Sequence, residues 1–359
     1  MTINRRTKVL VVDDSALIRK MLVGILSQDP QIEVVGTASD PYVARDEILA
    51  KNPDVLTLDI EMPRMDGLKF LGILQKHRPI PVIVISTLTH AGSETALAAL
   101  EAGAMDVLGK PTRAEDVPAF GEALRRRVKG AMAEHFRPVA PRPKAVGAVQ
   151  RLQSQGTYHT HQIILIGAST GGTEALKEVL PLLPDGLPGI CVVQHIPPVF
   201  SKAFAERIDK LCAYEVREAQ TGDEIRPGLA LVAPGDYHMV LTLQGGRYRV
   251  SLQQTPPVQH VRPSVDVLFA SVAQCVGARV TAVLLTGMGA DGAAGMQKLK
   301  AIGARTIAQN QETCVVYGMP RAAVELGVVD QVLPLERIPQ AILYSVNTQA
   351  QSASIRAQT

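Results

Sequence analysis

The chain has 359 residues, 46% hydrophobic and 20% charged, with a net charge of +3 and four cysteines. That length has room for two domains that each bury a core, and the small charge gives no argument for nucleic acid or a membrane surface as partner. Cys191, Cys212, Cys275 and Cys314 form no C-x-x-C pair, which speaks against a metal cluster or disulfide framework and for reduced thiols in a cytoplasmic protein.

At the N-terminus, the apolar run after Arg5, Arg6 and Lys8 stops at Asp13 and Asp14. It is too short for a signal peptide, and no run in the chain is long enough for membrane insertion. Residues 9–12 read as a buried strand, followed by a helix from Ser15 as N-cap to residue 26. Strands at 32–35 and 55–59 flank a helix at 42–50, and Pro63 with Asp66-Gly67 marks a loop. A fourth strand at 82–86 runs to Thr87, a helix covers 94–102, and a fifth strand at 106–108 ends at Lys110-Pro111. Strand and helix patterns alternate, so the expectation for residues 1–128 is a doubly wound (βα)5 unit with a parallel sheet.

Asp13, Asp14, Asp59, Thr87 and Lys110 all fall at carboxyl ends of those strands, where open α/β sheets keep their ligand sites. Three carboxylates brought together repel, and one takes up a proton unless a cation neutralises them. Mg²⁺, a hard cation with oxygen ligands, suits the trio Asp13, Asp14 and Asp59. Beside it Asp59 can act as a nucleophile towards phosphorus, with the Thr87 hydroxyl and the Lys110 charge for the phosphoryl oxygens. This half resembles the receiver domain of bacterial response regulators over nearly its whole length. The resemblance implies Asp59 as phosphoacceptor and Asp13 and Asp14 as Mg²⁺ ligands, and it allows a cis Lys110-Pro111 bond. Val107 stands where that family usually has an aromatic residue, which puts the aromatic switch, but not the phosphorylation chemistry, in question.

A helix from about 113 towards 136 runs into a stretch with Pro138, Pro141 and Pro143, read as a linker over 129–160. The basic crowd Arg125, Arg126, Arg127, Lys129, Arg137, Arg142, Lys144 and Arg151 reads as a solvated helix end and tether, and His159 with His161 as part of that tether. The second domain is expected over 161–350 and a disordered tail over 351–359. Its strands read at 163–166, 190–194, 229–233 and 280–285, with helices at 173–183, 198–211, 264–276 and up to 302. Segments 239–243 and 248–252, joined through Gly245-Gly246, read as a β-hairpin, and a further strand and two helices reach about residue 346. This is a Rossmann-like, mainly parallel α/β pattern.

Gly167-Ala-Ser-Thr-Gly171 satisfies G-x-S-x-G, a strand-turn-helix elbow that can expose the Ser169 hydroxyl. Ser169, His195 and Asp291 each follow the carboxyl end of an apolar strand, which gives nucleophile, base and orienting acid one shared rim. His238 and His260 compete as base, and Asp223, Asp236 and Asp266 as acid, but none follows a parallel strand so directly. Gly287-Met-Gly-Ala-Asp-Gly292 is also a formal G-x-G-x-x-G, the mark of a dinucleotide site, but Gln309-Asn310 stands where its acid is needed. The order Ser, His, Asp differs from that of the α/β-hydrolase fold. The domain instead resembles the catalytic domain of the chemotaxis protein-glutamate methylesterase (CheB) family. The shared segments are Gly167–Gly172, Gln194-His-Ile-Pro197, Ala233-Pro-Gly235, Arg262-Pro-Ser-Val-Asp266, Thr286–Gly292 and Tyr317-Gly-Met-Pro320.

That resemblance implies hydrolysis of γ-glutamyl methyl esters on chemoreceptors, and deamidation of receptor glutamines, with no cofactor in the esterase site. Backbone N–H groups near Thr170 and Met288 are the oxyanion candidates. It also implies a chemotaxis histidine kinase as phosphodonor and a receiver that docks over the Ser169 rim until Asp59 is phosphorylated. The chain is expected to act as a monomer. A DNA-binding output, the common alternative behind a receiver, does not fit a long domain of alternating strands and helices.

Overall fold

The computed structural model describes residues 5–62, 64–87, 90–132, 152, 162–244, 247–275 and 279–356. Residues 133–151 and 153–161, with His159, His161 and most of the expected linker, lie outside them, as do Gly245 and Gly246. The chain divides into two compact units, Met1–Lys144 and Ala145–Thr359.

In the first unit the elements run β1 Thr7–Val12, α1 Ala16–Leu26, β2 Ile32–Ala38, α2 Pro41–Lys51, β3 Val55–Leu58 and α3 Gly67–His77. They continue as β4 Val82–Ser86, α4 His90–Glu101, β5 Asp106–Gly109 and α5 Val117–Ala131. The five strands form a parallel sheet in the order β2-β1-β3-β4-β5. Its interior strands are mostly apolar and buried because helices cover both faces. Ser15 accepts from the Ile18 N–H at the start of α1, as the sequence predicts, and Asp40 accepts from Tyr42 and Val43 at the start of α2. Leu22, Ile25 and Leu26 of α1 pack with Phe120, Leu124 and Val128 of α5 against one sheet face.

Two readings change here. Asp66-Gly67, taken as loop, opens α3: Asp66 caps it through Leu68 N–H. A Cβ at Gly67 would lie 2.5 Å from the Asp59 carbonyl oxygen, so glycine lets the helix start against the end of β3. The Lys110-Pro111 bond is trans, and the cis bond among the described residues is Arg262-Pro263. Lys110 reaches its carboxylate partners from the trans form.

In the second unit the order is β6 Ile163–Ala168, α6 Gly172–Val179, β7 Gly189–Gln194, α7 Phe200–Asp209, β8 Glu215–Glu218 and β9 Leu229–Val232. An antiparallel hairpin follows, β10 His238–Gln244 and β11 Arg247–Gln253, then α8 Val265–Cys275 and β12 Val280–Leu284. The unit closes with α9 Ala293–Ala301, β13 Arg305–Gln309, α10 Met319–Glu325, β14 Gln331–Leu333 and α11 Ile338–Arg356. Seven strands make one parallel sheet, β14-β13-β12-β6-β7-β9-β8. β6 is central, with β7 on one side and β12 on the other, so the chain reverses its winding direction there. Such a reversal opens a crevice at the carboxyl ends of the strands.

The sequence reading lacked β8 and β14, the two edges. Edge strands are short and polar because only one side pairs and a charged rim discourages further pairing. The C-terminus also differs: α11 continues to Arg356, past residue 350 where the tail was expected to begin. Residues 340–356 contain neither Gly nor Pro to stop a helix. No described helix is long and apolar enough to cross a membrane.

Candidate active site

β6 and β7 pair in register to Ala168↔Gln194, and β6 and β12 to Gly167↔Leu284. Ser169 and His195 are therefore the next residues off two adjacent strand ends. The Ser169 N–H donates to the Thr286 carbonyl at 3.0 Å, and the His195 N–H to the Ala168 carbonyl at 3.1 Å. The Ser169 carbonyl accepts from Gly172 N–H at 2.7 Å and from Gln194 Nε2 at 2.9 Å, so the Ser169 backbone is held by three hydrogen bonds. Gly171, the N-cap of α6, has φ 77, and a Cβ there would sit 2.5 Å from a Val315 methyl. A Cβ at Gly287 would lie 2.8 Å from the Ser169 Cβ, which shows how tightly the turn after β12 presses on the serine.

That turn carries Asp291 inward. His195 Nε2 lies 2.8 Å from Asp291 Oδ2, and both side chains are almost fully buried. Asp291 has three further donors: Ser264 Oγ–H to Oδ1 at 2.7 Å, Asp266 N–H to Oδ1 at 3.1 Å and Val265 N–H to Oδ2 at 2.6 Å. Burial pushes its carboxyl up, but His195 and these donors outweigh burial and hold it below the usual carboxylate value. With Nε2 occupied, His195 Nδ1 makes no hydrogen bond to a described residue, and neither does the Ser169 hydroxyl. The structure thus joins His195 and Asp291 directly and sets Ser169 on the next strand end, without a Ser169–His195 hydrogen bond.

Each rival is engaged elsewhere. Both ring nitrogens of His238 are used, by Pro256 O and Ser264 N–H. His260 is exposed at φ 65 on the turn closed by reciprocal Val258–Val261 backbone bonds. Asp223 pairs with Arg217, and Asp236 with Arg262. Asp266 accepts from Gln259 and from Gly295 N–H; burial and then the neighbouring Asp291 charge raise its carboxyl. Among the oxyanion candidates, the Met288 N–H donates to no described residue, while Thr170 is buried with its carbonyl held by Thr286 Oγ at 3.0 Å. The glycines of the dinucleotide-like turn serve this site: Gly292, at φ 92, begins α9 directly after Asp291. Gln309, where a ribose acid would stand, spends its side chain on Thr286 N–H and Thr313. Ser264, Gln194 and Thr286 were not predicted as site residues. Ser264 had one signal, its place as a serine N-cap at the start of a predicted helix. Burial pushes the Cys191 and Cys314 thiols up to about 12.

In the first unit, Lys110 Nζ lies 2.7 Å from Asp59 Oδ2 and 3.0 Å from Asp13 Oδ2. Carboxylate oxygens of Asp13, Asp14 and Asp59 all lie within 4.8 Å of one another. Burial raises the Asp59 carboxyl, Lys110 opposes it, and the Asp13 charge adds to the rise. Lys110 in turn is held above its usual value by the two acids despite burial. Asp13 is fully buried, and its Oδ2, though ion-paired with Lys110, accepts no hydrogen bond. An anionic pocket with an unfilled buried oxygen fits a divalent cation. Thr87 sits apart: its hydroxyl donates to Glu61 at 3.4 Å.

Comparison with known proteins identifies both domains. The CheB methylesterase profile matches residues 164–342, and the response regulator receiver domain profile matches residues 9–120. The chain is 50% identical over 350 residues to a protein-glutamate methylesterase/protein-glutamine glutaminase of Bdellovibrio bacteriovorus, covering 96% of this chain and 98% of that one. It is 52% identical over 338 residues to one from Pseudomonas aeruginosa, covering 93% and 95%. The crystal structure of the Thermotoga maritima CheB methylesterase catalytic domain superposes with a TM-score of 0.50 at 42% identity, covering 51% of this chain and 97% of that one. With near-complete coverage in both directions and both domains matched in order, the chain belongs to the CheB family of protein-glutamate methylesterases/protein-glutamine glutaminases, with a response-regulator receiver at its N-terminal end.

Proposed function

We propose that this chain demethylates γ-glutamyl methyl esters on chemoreceptors, and deamidates receptor glutamines, through Ser169, His195 and Asp291, under control of phosphorylation at Asp59. The observation that carries the reading is the buried 2.8 Å bond from His195 Nε2 to Asp291, one strand end over from Ser169, which supports Nδ1 as the base. Ser169 Oγ attacks the ester carbonyl as His195 Nδ1 takes its proton. Asp291 holds the tautomer and stabilises the imidazolium. The N–H groups near Thr170 and Met288 receive the developing oxyanion, each contributing roughly 3 kcal/mol. Collapse expels methoxide, which leaves as methanol with the proton from His195. Water then loses a proton to His195 and attacks the acyl-serine, releasing glutamate and restoring Ser169. With a glutamine substrate, ammonia leaves in place of methanol. None of these steps draws on a cofactor.

In the receiver, Asp59 Oδ accepts a phosphoryl group from the phosphohistidine of a chemotaxis kinase. Asp13, Asp14 and Asp59 would hold Mg²⁺, which supplies positive charge against the phosphoryl oxygens. Lys110 is already in place for those oxygens, whereas Thr87 has to leave Glu61 to reach them. The receptors' cytoplasmic helices are the substrate, so the reaction takes place in the cytoplasm, and the chain works as a monomer. Methanol release from methylated receptor membranes tests the core of this reading. Ser169→Ala should reduce release to background, and retained activity would remove Ser169 from the nucleophile's role.

A further inference from the structure

His238 is a rival base in the sequence, and the structure gives it a different place. It is the first residue of β10 and is fully shielded from solvent. Its Nε2 lies 3.1 Å from the Pro256 carbonyl oxygen, which can only accept. Nε2 therefore carries the hydrogen, and Nδ1 is left with a lone pair. That lone pair accepts the Ser264 N–H at 3.1 Å. The tautomer is fixed by its two partners, and the ring is neutral in this arrangement. Burial, with the Arg262 charge adding to it, holds its ionisation below the usual histidine value against the smaller pull of the Pro256 carbonyl, Asp291 and Asp236.

Ser264 is the residue on which the Asp291 site is hung. Its hydroxyl donates to Asp291 Oδ1, and it is followed by the two N–H groups of Val265 and Asp266 that complete the set. Each carboxylate oxygen thus has two donors, and the Oδ2 pair is Val265 N–H and His195 Nε2. This arrangement fixes the carboxylate's rotation and presents Oδ2 to the histidine. The position of Ser264 is set in turn by its own N–H, which is buried and ends on His238. Losing that acceptor would orphan a buried N–H, and the turn leading into α8 would move to satisfy it.

We propose that His238 is a positioning residue for the triad. By accepting the Ser264 N–H it fixes the turn into α8, and through Ser264 it aims Asp291 at His195. The proposal rests on the reading of Ser169, His195 and Asp291 given above, and it adds a fourth residue that never touches substrate.

Two variants of the full-length chain test it. His238→Leu fills the space without an acceptor, whereas in His238→Asn the side-chain oxygen takes the place of Nδ1. With methylated receptor membranes, His238→Leu should lower kcat roughly 10- to 100-fold, the scale of a small misplacement of a catalytic group, with KM within about twofold of wild type. His238→Asn should recover most of kcat. In an Asp291→Asn background, His238→Leu should change the residual rate less than about twofold, because its path to the chemistry is already cut. A purely structural role would lower activity in either background and would overturn the proposal. So would a His238→Leu kcat within twofold of wild type, or an Asn variant no better than Leu. A second readout needs no turnover. The downfield proton resonance of the His195–Asp291 hydrogen bond should be lost or displaced in His238→Leu and kept in His238→Asn. An unchanged resonance in the Leu variant overturns the positioning role even if the substrate were another ester, whereas an inactive wild type with the expected resonances would count against the substrate alone.

Discussion

Asp59 shows how a single carboxylate can carry both a cost and a function. Burial and the Asp13 charge raise its carboxyl above the value it has in an unfolded chain, against the pull of Lys110. A carboxyl raised by folding binds protons more tightly in the folded state. Its ionisation at neutral pH therefore opposes folding, and that opposition fades as the pH falls through the raised value. A divalent cation removes the same opposition by supplying the missing charge. Mg²⁺ should then raise the melting temperature of the receiver transition at pH 7.5. The stabilisation is about 1.4 kcal/mol when Mg²⁺ is at ten times its dissociation constant. The increment should shrink as the pH is lowered and protons displace the metal, and it should fall in Asp13→Asn. Calorimetry with and without Mg²⁺ at several pH values measures it, and a melting temperature indifferent to Mg²⁺ at pH 7.5 would refute it. The acids were legible in the sequence because each ends an apolar strand. The Thr87–Glu61 bond was not, since two polar residues 26 positions apart leave no periodic trace.

At the level of elements, the sequence marked the interior strands well and the two edges of the second sheet poorly. β1, β4, β6, β7 and β12 are predominantly apolar and buried along nearly all their length, so the apolar run itself locates them. β8, Glu-Val-Arg-Glu, has one buried side chain in four and offers no such run. Helix α5 shows the opposite error. Its arginines read as a solvated end, yet Arg127 is buried and lies 2.9 Å from an Asp106 oxygen of β5, with both side chains mostly shielded. Arg125 meanwhile donates to the Ile25 carbonyl at the end of α1. These contacts tie α5 to the sheet edge and to α1, which no local pattern could announce. Removing one partner of a buried pair strands the other's charge, so Arg127→Ala should cost roughly 3 kcal/mol in urea unfolding. Replacing both partners, Arg127→Met with Asp106→Asn, should recover much of that loss. A single substitution costing under about 0.5 kcal/mol would show that the pair behaves as a solvated surface contact instead.

For the whole molecule, the decisive feature is that each unit closes its own core. One hydrophobic cluster is drawn entirely from residues 9–131 and another entirely from residues 163–328. The relative solved as a catalytic domain alone, matched over 97% of its length, is consistent with that independence. The residues proposed for the esterase chemistry, and the donors that hold Asp291, all lie between Ser169 and Asp291 in the second unit. Under the proposed function the receiver adds restraint, which phosphorylation of Asp59 relieves. A chain beginning near residue 150 should then hydrolyse receptor methyl esters faster than the unphosphorylated full-length protein. Regulatory couplings of this kind are about 1–3 kcal/mol, or roughly five- to 150-fold. A small-molecule phosphodonor with Mg²⁺ should close most of that gap in the full-length chain and do nothing to the fragment. Asp59→Asn should keep the full-length chain at its restrained rate with or without the donor. Equal rates for the fragment and the unphosphorylated full-length protein would rule out restraint by the receiver, and would leave activation, if the donor still raised the rate, as a contribution the phosphorylated receiver makes to the esterase rather than one it withdraws.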